Sequence, residues 1–292
     1  FDLQNLQVLK GPQGTLFGRN TSGGAVLIVP QRPTDKFEGY VEATAGSHDL
    51  RRVQVVLNTP ISDTLRVRMG VDRNKREGFM KNMSGIGPSH FNDIDYLAGR
   101  ISIIADITPD LENYTVASYS KSKTNGSLPR VFACNRDQAA TAPLVQLQCD
   151  QVDRANQRGF YTGEAALISP YQNIEQWQVI NTTTWRASDN LTIKNIAAYS
   201  EFREAARGTV YGENLAITSG PNAGSNAVRV FSNPYPGSNT ASGATFTEEL
   251  QFQGSAMEDR LIWQAGAYME RNMPLGWAGV LSTNTASCTT AD

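Results

Sequence analysis

Hydrophobic and polar residues alternate along several long segments of this chain. In the clearest segment, residues 65–72, Leu65, Val67, Met69 and Val71 interleave with arginine, glycine and aspartate. Period-2 alternation is typical of β-strands whose two faces meet different surroundings. The pattern predicts nine strands of about nine to fifteen residues, a length that suits tilted membrane-spanning strands. They are expected around residues 37–45, 52–58, 65–72, 97–106, 111–121, 172–186, 191–204, 245–254 and 261–270.

The connections between these predicted strands differ in length from one end to the other. Apart from a short first connection at 46–49, tight turns at 58–64, 108–110, 187–190 and 255–260 alternate with long segments at 77–91, 122–171 and 205–244. Outer-membrane barrels have this asymmetry, with short periplasmic turns and long extracellular loops. A soluble sandwich would instead need a second sheet over the apolar face. An all-β membrane-spanning wall is therefore expected, with a soluble all-β binding domain as an alternative.

A glycine-rich segment precedes the first long strand. Short apolar runs at Asn5–Leu9 and Ala25–Val29 predict two strands, and Gly11-Pro12-Gln13-Gly14 and Ser22-Gly23-Gly24 predict tight turns. The segment lacks the Gly-Lys-Ser/Thr of a phosphate loop and the dinucleotide fingerprint. Its strands are too short to cross a bilayer, so residues 1–29 are expected to lie inside the curve of the wall.

This segment resembles the end of the plug domain of TonB-dependent outer-membrane receptors. The resemblance rests on Val8-Leu9-Lys10-Gly11-Pro12, Leu16-Phe17-Gly18-Arg19-Asn20 and Gly23-Gly24-Ala25-Val26, and Gly14 completes the motif. Lys10 stands where the family usually has arginine, which keeps the charge but loses a bidentate donor. Pro30 departs from the common ending and should end the last plug strand, because proline lacks the N–H that a ladder needs.

The resemblance implies a partial transmembrane antiparallel β-barrel, about nine strands of a barrel of roughly 22 strands. Residues 1–33 would be the C-terminal part of the plug and 34–292 the N-terminal part of the barrel, with earlier and later segments missing. It also implies active uptake of a scarce ligand, by default a ferric siderophore, powered by a TonB-type energy-transducing complex. Sugars, cobalamin and other organic nutrients remain alternatives, as does a passive porin-like barrel.

Composition narrows the function further. The chain has 292 residues and a net charge of −2, so a general nucleic-acid-binding surface is not indicated. Its two histidines, His48 and His90, lie far apart in the sequence, and no metal site or resident cofactor is expected. No spacing of nucleophile and base suggests catalysis, so the chain is not expected to be an enzyme. The expected partners are outer-membrane lipid, the ligand and the energy-transducing complex.

The three cysteines fit an oxidising compartment. Cys134 and Cys149 occupy one loop-like stretch and are expected to form a disulfide, with two free thiols as the alternative. Cys288 is left over and is expected to pair with a cysteine beyond this sequence.

Ion pairs between plug and barrel are the most specific expectation for a site, and they follow from the resemblance. Members of the family use Arg–Glu contacts to hold the plug, which points to Lys10 and Arg19. Glu249 shares a strand face with Gln251 and Gln253 and is the first candidate partner, and Glu42 is the second. A solvated barrel wall would explain the same carboxylates without any such contact.

Overall fold

The computed structural model describes residues 1–14, 21–139, 142–209, 211–217, 220–221, 223–232, 234–281 and 283–287. Within these ranges the strands are β1 Leu3–Lys10, β2 Gly24–Pro30, β3 Glu38–Gly46, β4 Leu50–Ser62, β5 Leu65–Arg76, β6 Met80–Asn82, β7 His90–Phe91, β8 Ile94–Thr108, β9 Leu111–Thr124, β10 Thr162–Gly163, β11 Tyr171–Ser188, β12 Leu191–Thr209, β13 Leu215–Ala216, β14 Asn226–Ser232, β15 Ala241–Ala256, β16 Leu261–Met273 and β17 Thr283–Ser287. The helices are α1 Arg136–Ala139 and α2 Pro143–Asn156.

Nine long antiparallel strands form a continuous wall, in the order β3-β4-β5-β8-β9-β11-β12-β15-β16. All nine predicted strands are present, although they reach 19 residues in β12 because several continue past the alternating segment into the bases of the long loops. Among the described residues β3 pairs only with β4 and β16 only with β15. The described part of the wall is therefore an open sheet, because its first strand, β3, does not pair with its last strand, β16.

The two faces of the wall differ as the alternation predicts. Arg68, Asp72 and Ser102 lie on one face and are buried, and we call this face the inner face. Met69 and Val71 lie on the opposite, outer face, where they are 42% and 50% exposed. Because paired residues in a regular ladder share a face, the register, which shifts only beside the turns at 60–62, 106–108 and 186–188, carries this division from strand to strand. Polar side chains thus line the inside, and apolar side chains face outward.

The glycine-rich segment forms a hairpin separate from the wall. β1 and β2 pair antiparallel from Leu3 opposite Pro30 to Lys10 opposite Gly24, and neither pairs with a wall strand. β2 ends at Pro30, as the proline predicts. The hairpin meets the inner face through Asp2 and does not continue the sheet of the wall, as expected, and its assignment to the plug stays a prediction.

The long connections build a layer of their own, which the sequence interpretation as loops missed. We call the described parts of residues 78–93, 125–170 and 211–232 the cap. Helix α2 lies in the longest connection: Pro143 fits its first turn, and Cys149, Val152 and Ala155 recur on its buried face. Apolar cores lie here, around Leu167 with Val228 and around Phe91 with Leu128.

Candidate functional site

Asp2 forms the principal polar contact between the hairpin and the wall. The Arg68 guanidinium donates to both carboxylate oxygens of Asp2, with Nε at 2.9 Å from Oδ2 and Nη2 at 2.6 Å from Oδ1. Arg100 Nη2 donates to Oδ2 at 2.8 Å. The side chains of Asp2, Arg68 and Arg100 are only 6%, 8% and 12% exposed. We call these three residues the Asp2 clamp.

Register explains how the two arginines converge. Arg68 in β5 pairs with Ser102 in β8, and Arg100 lies two residues before Ser102 on the same inner face. Both cations therefore project toward one point above two neighbouring strands. The carboxylate of Asp2 occupies that point, and Glu38 lies near one side, 3.5 Å from Arg68 Nη1.

Close approach of Phe1 to the wall depends on a missing side chain. A Cβ built at Gly70 would lie 2.8 Å from Phe1 Cε2 and 3.1 Å from Val56 Cγ2. The Arg100 guanidinium lies over the Phe1 ring, 5.1 Å from its centroid, in cation–π contact. Gly70 thus lets the hairpin approach the inner face closely enough for the Asp2 clamp to form.

Burial and charge act in opposite directions on Asp2. Burial, the largest single influence, raises the pKa of the Asp2 carboxyl, but the hydrogen bonds and charges of Arg68 and Arg100 together outweigh it, and the net pKa is lowered from 3.8. A carboxyl whose pKa is lowered on folding contributes stability above its ordinary pKa, and that stability is lost as the pH falls through the lowered value.

The stability of the contact between the hairpin and the inner face is therefore expected to depend on pH only at acidic pH. Amide hydrogen exchange of β1 and β2, corrected for the intrinsic pH dependence of exchange, should show constant protection from pH 8 to about pH 5. Protection should begin to fall below about pH 4, where Asp2 of the released hairpin takes up a proton, and the contribution of Asp2 is lost as the pH passes the lowered pKa of the seated form. A loss of protection centred near pH 6 would contradict this assignment.

Further contacts fix the linker between hairpin and wall, residues 31–37. Asn58 is fully buried and accepts from the Thr34 backbone N–H at 2.9 Å, while its Nδ2 donates to the carbonyls of Thr34 and Lys36 at 3.0 and 2.6 Å. Arg32 pairs with Glu112 at 2.7 Å. The chain is thus held to the inner face before β3 begins.

Replacing Asn58 with alanine should loosen this linker. The substitution leaves the Thr34 N–H and two carbonyls without their side-chain partner, at a cost of about 1–3 kcal/mol. Chemical denaturation of the wild-type and Asn58→Ala proteins would measure the loss. Asn74→Ala, in the next wall strand, is a comparison, and a loss as large there would argue against a specific linker anchor.

Two of the plug-motif glycines have backbone conformations that a side chain would resist. Gly11 has φ +83° and Gly24 has φ +147°, and a Cβ at Gly24 would lie 2.5 Å from the Leu9 carbonyl oxygen. The Gly11 N–H donates to the Gly23 carbonyl, which closes the hairpin. Pro12 and Gly14 follow in the turn, whereas Gly18, Arg19 and Asn20 lie outside the described residues.

The residues predicted to join plug and barrel form no ion pair with one another where they are described. Lys10 ends β1 and makes no ion pair with a described residue, and its carbonyl accepts from Gln13. Glu249 lies on the inner face, where it accepts from Gln251 Nε2 at 2.6 Å. Glu42 lies on the inner face of β3 and lines the same cleft as Asp2 and Arg68. A contact of Lys10 or Arg19 with Glu249 or Glu42 stays a prediction.

Sequence reasoning missed the Asp2 clamp, although half of its signal was present. Arg68 and Arg100 stand on the polar face of two clearly alternating strands, and this pattern marked them as inner-face cations. Their partner is a single aspartate two residues into the chain and outside the recognised motif. The charges are also the opposite of those expected, since the hairpin supplies the anion and the wall supplies the cations.

The cap is tied together at two points. A disulfide joins Cys134 to Cys149 of α2 with Cα atoms 5.3 Å apart, a separation that a disulfide requires. The buried Glu164 carboxylate accepts from Arg154 at 2.9 Å and from Arg158 at 2.6 Å. Cys288 lies outside the described residues. The helix and the residues just after it are therefore fixed to Glu164, which follows β10, as well as to the loop before the helix.

Exposed aromatic rings lie on the same layer. Phe160 and Tyr161 are adjacent and largely exposed, and the Tyr161 ring packs edge-on against Phe79 with centroids 5.9 Å apart. The Arg76 guanidinium lies over the Phe79 ring. These groups form an aromatic and cationic surface at the long-loop end of the wall.

The described residues give little sign of other kinds of site. No helix there is long and apolar enough to cross a membrane. Among the same residues, no three or more histidine, cysteine, aspartate or glutamate side chains are grouped so as to hold a metal ion.

Comparison with known proteins supports the resemblance carried by the hairpin. No family model matches the chain. The chain is 42% identical to the pesticin receptor of Yersinia pestis over 64 residues, which are 22% of this chain and 10% of the receptor. It is 28% identical to the metal-pseudopaline receptor CntO of Pseudomonas aeruginosa over 134 residues, 44% of this chain and 19% of the receptor. The matched stretches thus span less than a fifth of these relatives.

The fold is shared over a longer stretch. The crystal structure of the ferripyoverdine receptor of the outer membrane of Pseudomonas aeruginosa superposes with a TM-score of 0.62 at 14% identity, covering 92% of this chain and 32% of that one. At this identity the match shows the fold alone. The relatives are receptors, in keeping with the expectation of a non-enzymatic function. Taken with the hairpin motif and the nine-stranded wall, these matches confirm the resemblance of the chain to TonB-dependent outer-membrane receptors.

Proposed function

We propose that this chain is part of a receptor that takes up a ferric siderophore through the outer membrane. Residues 1–33 would belong to the plug and residues 34–292 to the barrel wall. The observation that carries the proposal is the Asp2 clamp, which seats a separate hairpin on the inner face of the wall. A passive pore has no need of a hairpin held across its lumen by buried ion pairs.

The Asp2 clamp also fits a plug that must be held and then moved. A buried ion pair specifies position more reliably than it adds stability, and losing one partner is costly. We infer that a TonB-type energy-transducing complex supplies the work that displaces the plug from the wall. A further lock between Lys10 or Arg19 and Glu249 or Glu42 is compatible with this proposal.

The cap supports a ligand-binding role at the outer end. Its disulfide and its buried Glu164 hold α2 in place. Phe160 and Tyr161 present aromatic surface beside Arg76 and beside Arg130, which donates to the Phe160 carbonyl at 3.2 Å. Such a surface suits an anionic ligand with aromatic or other planar groups. The names of the relatives favour metal–siderophore complexes over sugars or cobalamin.

Uptake by the full-length receptor tests this proposal. The receptor would be expressed in an outer-membrane receptor-deficient strain, and accumulation of radioactive iron would be measured from a panel of ferric siderophores, with and without a functional TonB complex. Uptake of at least one complex that stops without TonB is expected. Receptor-dependent growth on an added sugar or cobalamin, without uptake of any ferric siderophore, would assign a different class of ligand. Uptake that persists without TonB would support a passive pore.

A further inference from the structure

Four polar side chains lie together on the outer face of the wall. They are Asn113 and Thr115 of β9 and Asn181 and Thr183 of β11, and we call them the Asn–Thr quartet. Asn113 lies directly opposite Thr183, and Thr115 lies directly opposite Asn181. Ser118 of β9 pairs with Arg100 on the inner face, so the odd-numbered residues of β9 and their partners in β11 face outward.

Every side-chain donor of the Asn–Thr quartet has an acceptor inside it. Asn113 Nδ2 donates to Asn181 Oδ1 at 3.1 Å and to Thr183 Oγ1 at 2.8 Å. Asn181 Nδ2 donates to Asn113 Oδ1 at 3.0 Å and to Thr115 Oγ1 at 2.7 Å. The two hydroxyls donate to the amide oxygen two residues earlier in the same strand, at 3.1 and 3.3 Å. The hydrogen bonds therefore form a closed set.

The Asn–Thr quartet lies on the membrane side of an aromatic boundary. Leu111 and the exposed Trp185 pair with each other between the quartet and the tight turns that end the two strands. A tryptophan in this position is typical of the interface between water and hydrocarbon. Ala105 and Ala197 lie beside the two amides on the flanking strands. In these surroundings an amide or hydroxyl without a partner is costly.

The two strands that the quartet joins have no tight turn between them. β8 with β9 and β11 with β12 are hairpins with tight turns at 108–110 and 187–190, and a tight turn sets the register of its strands. β9 and β11 are instead connected through residues 125–170, a segment too long to set a register. A slip of two residues between them would keep every side chain on its own face, so the alternation of polar and apolar residues does not oppose it.

Such a slip breaks the Asn–Thr quartet in either direction. One direction places the two amides four residues apart, opposite Trp185 and Ala117. The other direction places the amides opposite each other but moves the two hydroxyls opposite Val179 and Leu111. The amides therefore oppose the first slip, and the threonines oppose the second.

We propose that the Asn–Thr quartet sets the register between β9 and β11 when the wall assembles. Its hydrogen bonds close as a set only in the native register, and slipped pairing leaves polar groups unpaired in hydrocarbon. A single buried asparagine fixes the register of coiled coils in the same way. The Lys121–Glu175 ion pair at the other end of the two strands is 40% and 39% exposed, so it contributes little to this choice. The proposal rests on the membrane position of the wall and is independent of the transported ligand.

Disulfide trapping in the full-length receptor tests the proposal. Ser118→Cys with Gln178→Cys reports the native register, because these residues lie directly opposite each other. Ser118→Cys with Gln176→Cys and Ser118→Cys with Ile180→Cys report the two slips, since diagonal neighbours in a ladder are about 7–8 Å apart, beyond the reach of a disulfide. Each protein is oxidised within minutes of its synthesis. Mass spectrometry of the cross-linked peptides separates these products from disulfides of the other cysteines.

Replacing both amides, as Asn113→Val with Asn181→Val, should raise the yield of the 118–176 and 118–180 cross-links by about fivefold or more, the ratio that corresponds to about 1 kcal/mol. Valine suits a strand in hydrocarbon, so the thermal stability of the wall should not fall. Thr115→Val with Thr183→Val should raise only the 118–176 cross-link, because the amides still oppose the other slip.

Two controls accompany these variants. Asn195 lies beside Thr183 on the outer face and donates to Glu248 of β15 at 3.1 Å, so Asn195→Val removes a neighbouring amide and should leave the β9–β11 register unchanged. Ala98→Cys with Ser120→Cys, which lie directly opposite each other, should form the same cross-link in every variant, because a tight turn sets the β8–β9 register.

Moving half of the Asn–Thr quartet gives the converse test. Asn113→Val, Thr115→Asn and Ala117→Thr together shift the β9 residues by two positions, and the closed set then fits only the slip that the 118–180 cross-link reports. That cross-link should exceed its yield in the double valine variant. Wild-type yields of both slipped cross-links in the valine and shifted variants would overturn the proposal. An equal rise in Asn195→Val, or lower thermal stability without slipped products, would do the same. If the double valine variant does not accumulate, the threonine and shifted variants decide the question.

Discussion

Replacing Asp2 with alanine in the full-length receptor should release the β1–β2 hairpin from the wall. The change leaves Arg68 and Arg100 buried on the inner face without their shared carboxylate. Removing one partner of a buried ion pair costs about 3–5 kcal/mol, because the remaining charge stays out of water unpaired. Seating of the hairpin should weaken by at least two orders of magnitude, since about 1.4 kcal/mol corresponds to a factor of ten.

Hydrogen exchange measured by mass spectrometry would report this release peptide by peptide. Exchange should accelerate in β1 and β2 and stay unchanged in distant wall strands such as β12. Asp49→Ala provides a matched control, since Asp49 pairs with Arg51 on the surface, where an ion pair contributes little.

A triple variant separates the charge from the packing. Asp2→Leu combined with Arg68→Met and Arg100→Met replaces the Asp2 clamp with apolar groups and should recover much of the lost protection, because no charge is left unpaired. If Asp2→Ala alone exchanges as slowly as the wild-type protein, the Asp2 clamp does not hold the hairpin.

Removing the Cys134–Cys149 bridge should destabilise the cap, and this is the second large effect that we expect. The bridge closes a loop with a sequence separation of 15 residues, and the chain-entropy model assigns about 3 kcal/mol to a loop of that size. A Cys134→Ser, Cys149→Ser protein should therefore have a cap that opens more than a hundredfold more often. The wall should keep its stability, since β9 and β11 remain paired below the cap.

Limited proteolysis would detect this opening. Cleavage between residues 130 and 160 should accelerate in the doubly substituted protein and, to the same degree, in the wild-type protein after reduction. Full cleavage resistance in both would show that the Glu164 contacts with Arg154 and Arg158 are sufficient to hold α2.

The strands of the wall could be predicted almost completely, because the alternation of apolar and polar residues determines them. Alternation such as that of Leu65 to Val71 fixes both the strand and the face of each residue, and the tight turns at 108–110 and 187–190 fix the pairing order. The hairpin was also predictable, because Gly11 and Gly24 belong to a recognisable motif whose turns need their conformations.

The cap and the Asp2 clamp depend on information that no local pattern contains. Helix α2 carries apolar residues at helical spacing, but its polar composition is also that of an exposed loop, and packing against residues 163–167 and 212–215 decides the outcome. For Arg68 and Arg100, alternation gives the face and leaves the partner open. Asp2 reaches them from a separate hairpin, and only the three-dimensional arrangement brings the three together.

The cap is inserted between two strands that are direct neighbours in the wall. Thr124, the last residue of β9, lies opposite Gln172 near the start of β11, so the chain enters and leaves the whole 125–170 segment at adjacent points. The entropy of closing such a loop grows only slowly with its length. A short turn could therefore join β9 to β11 in place of this segment while the wall strands stay paired, provided that residues 78–93 and 211–232, which share its apolar cores, are exchanged with it.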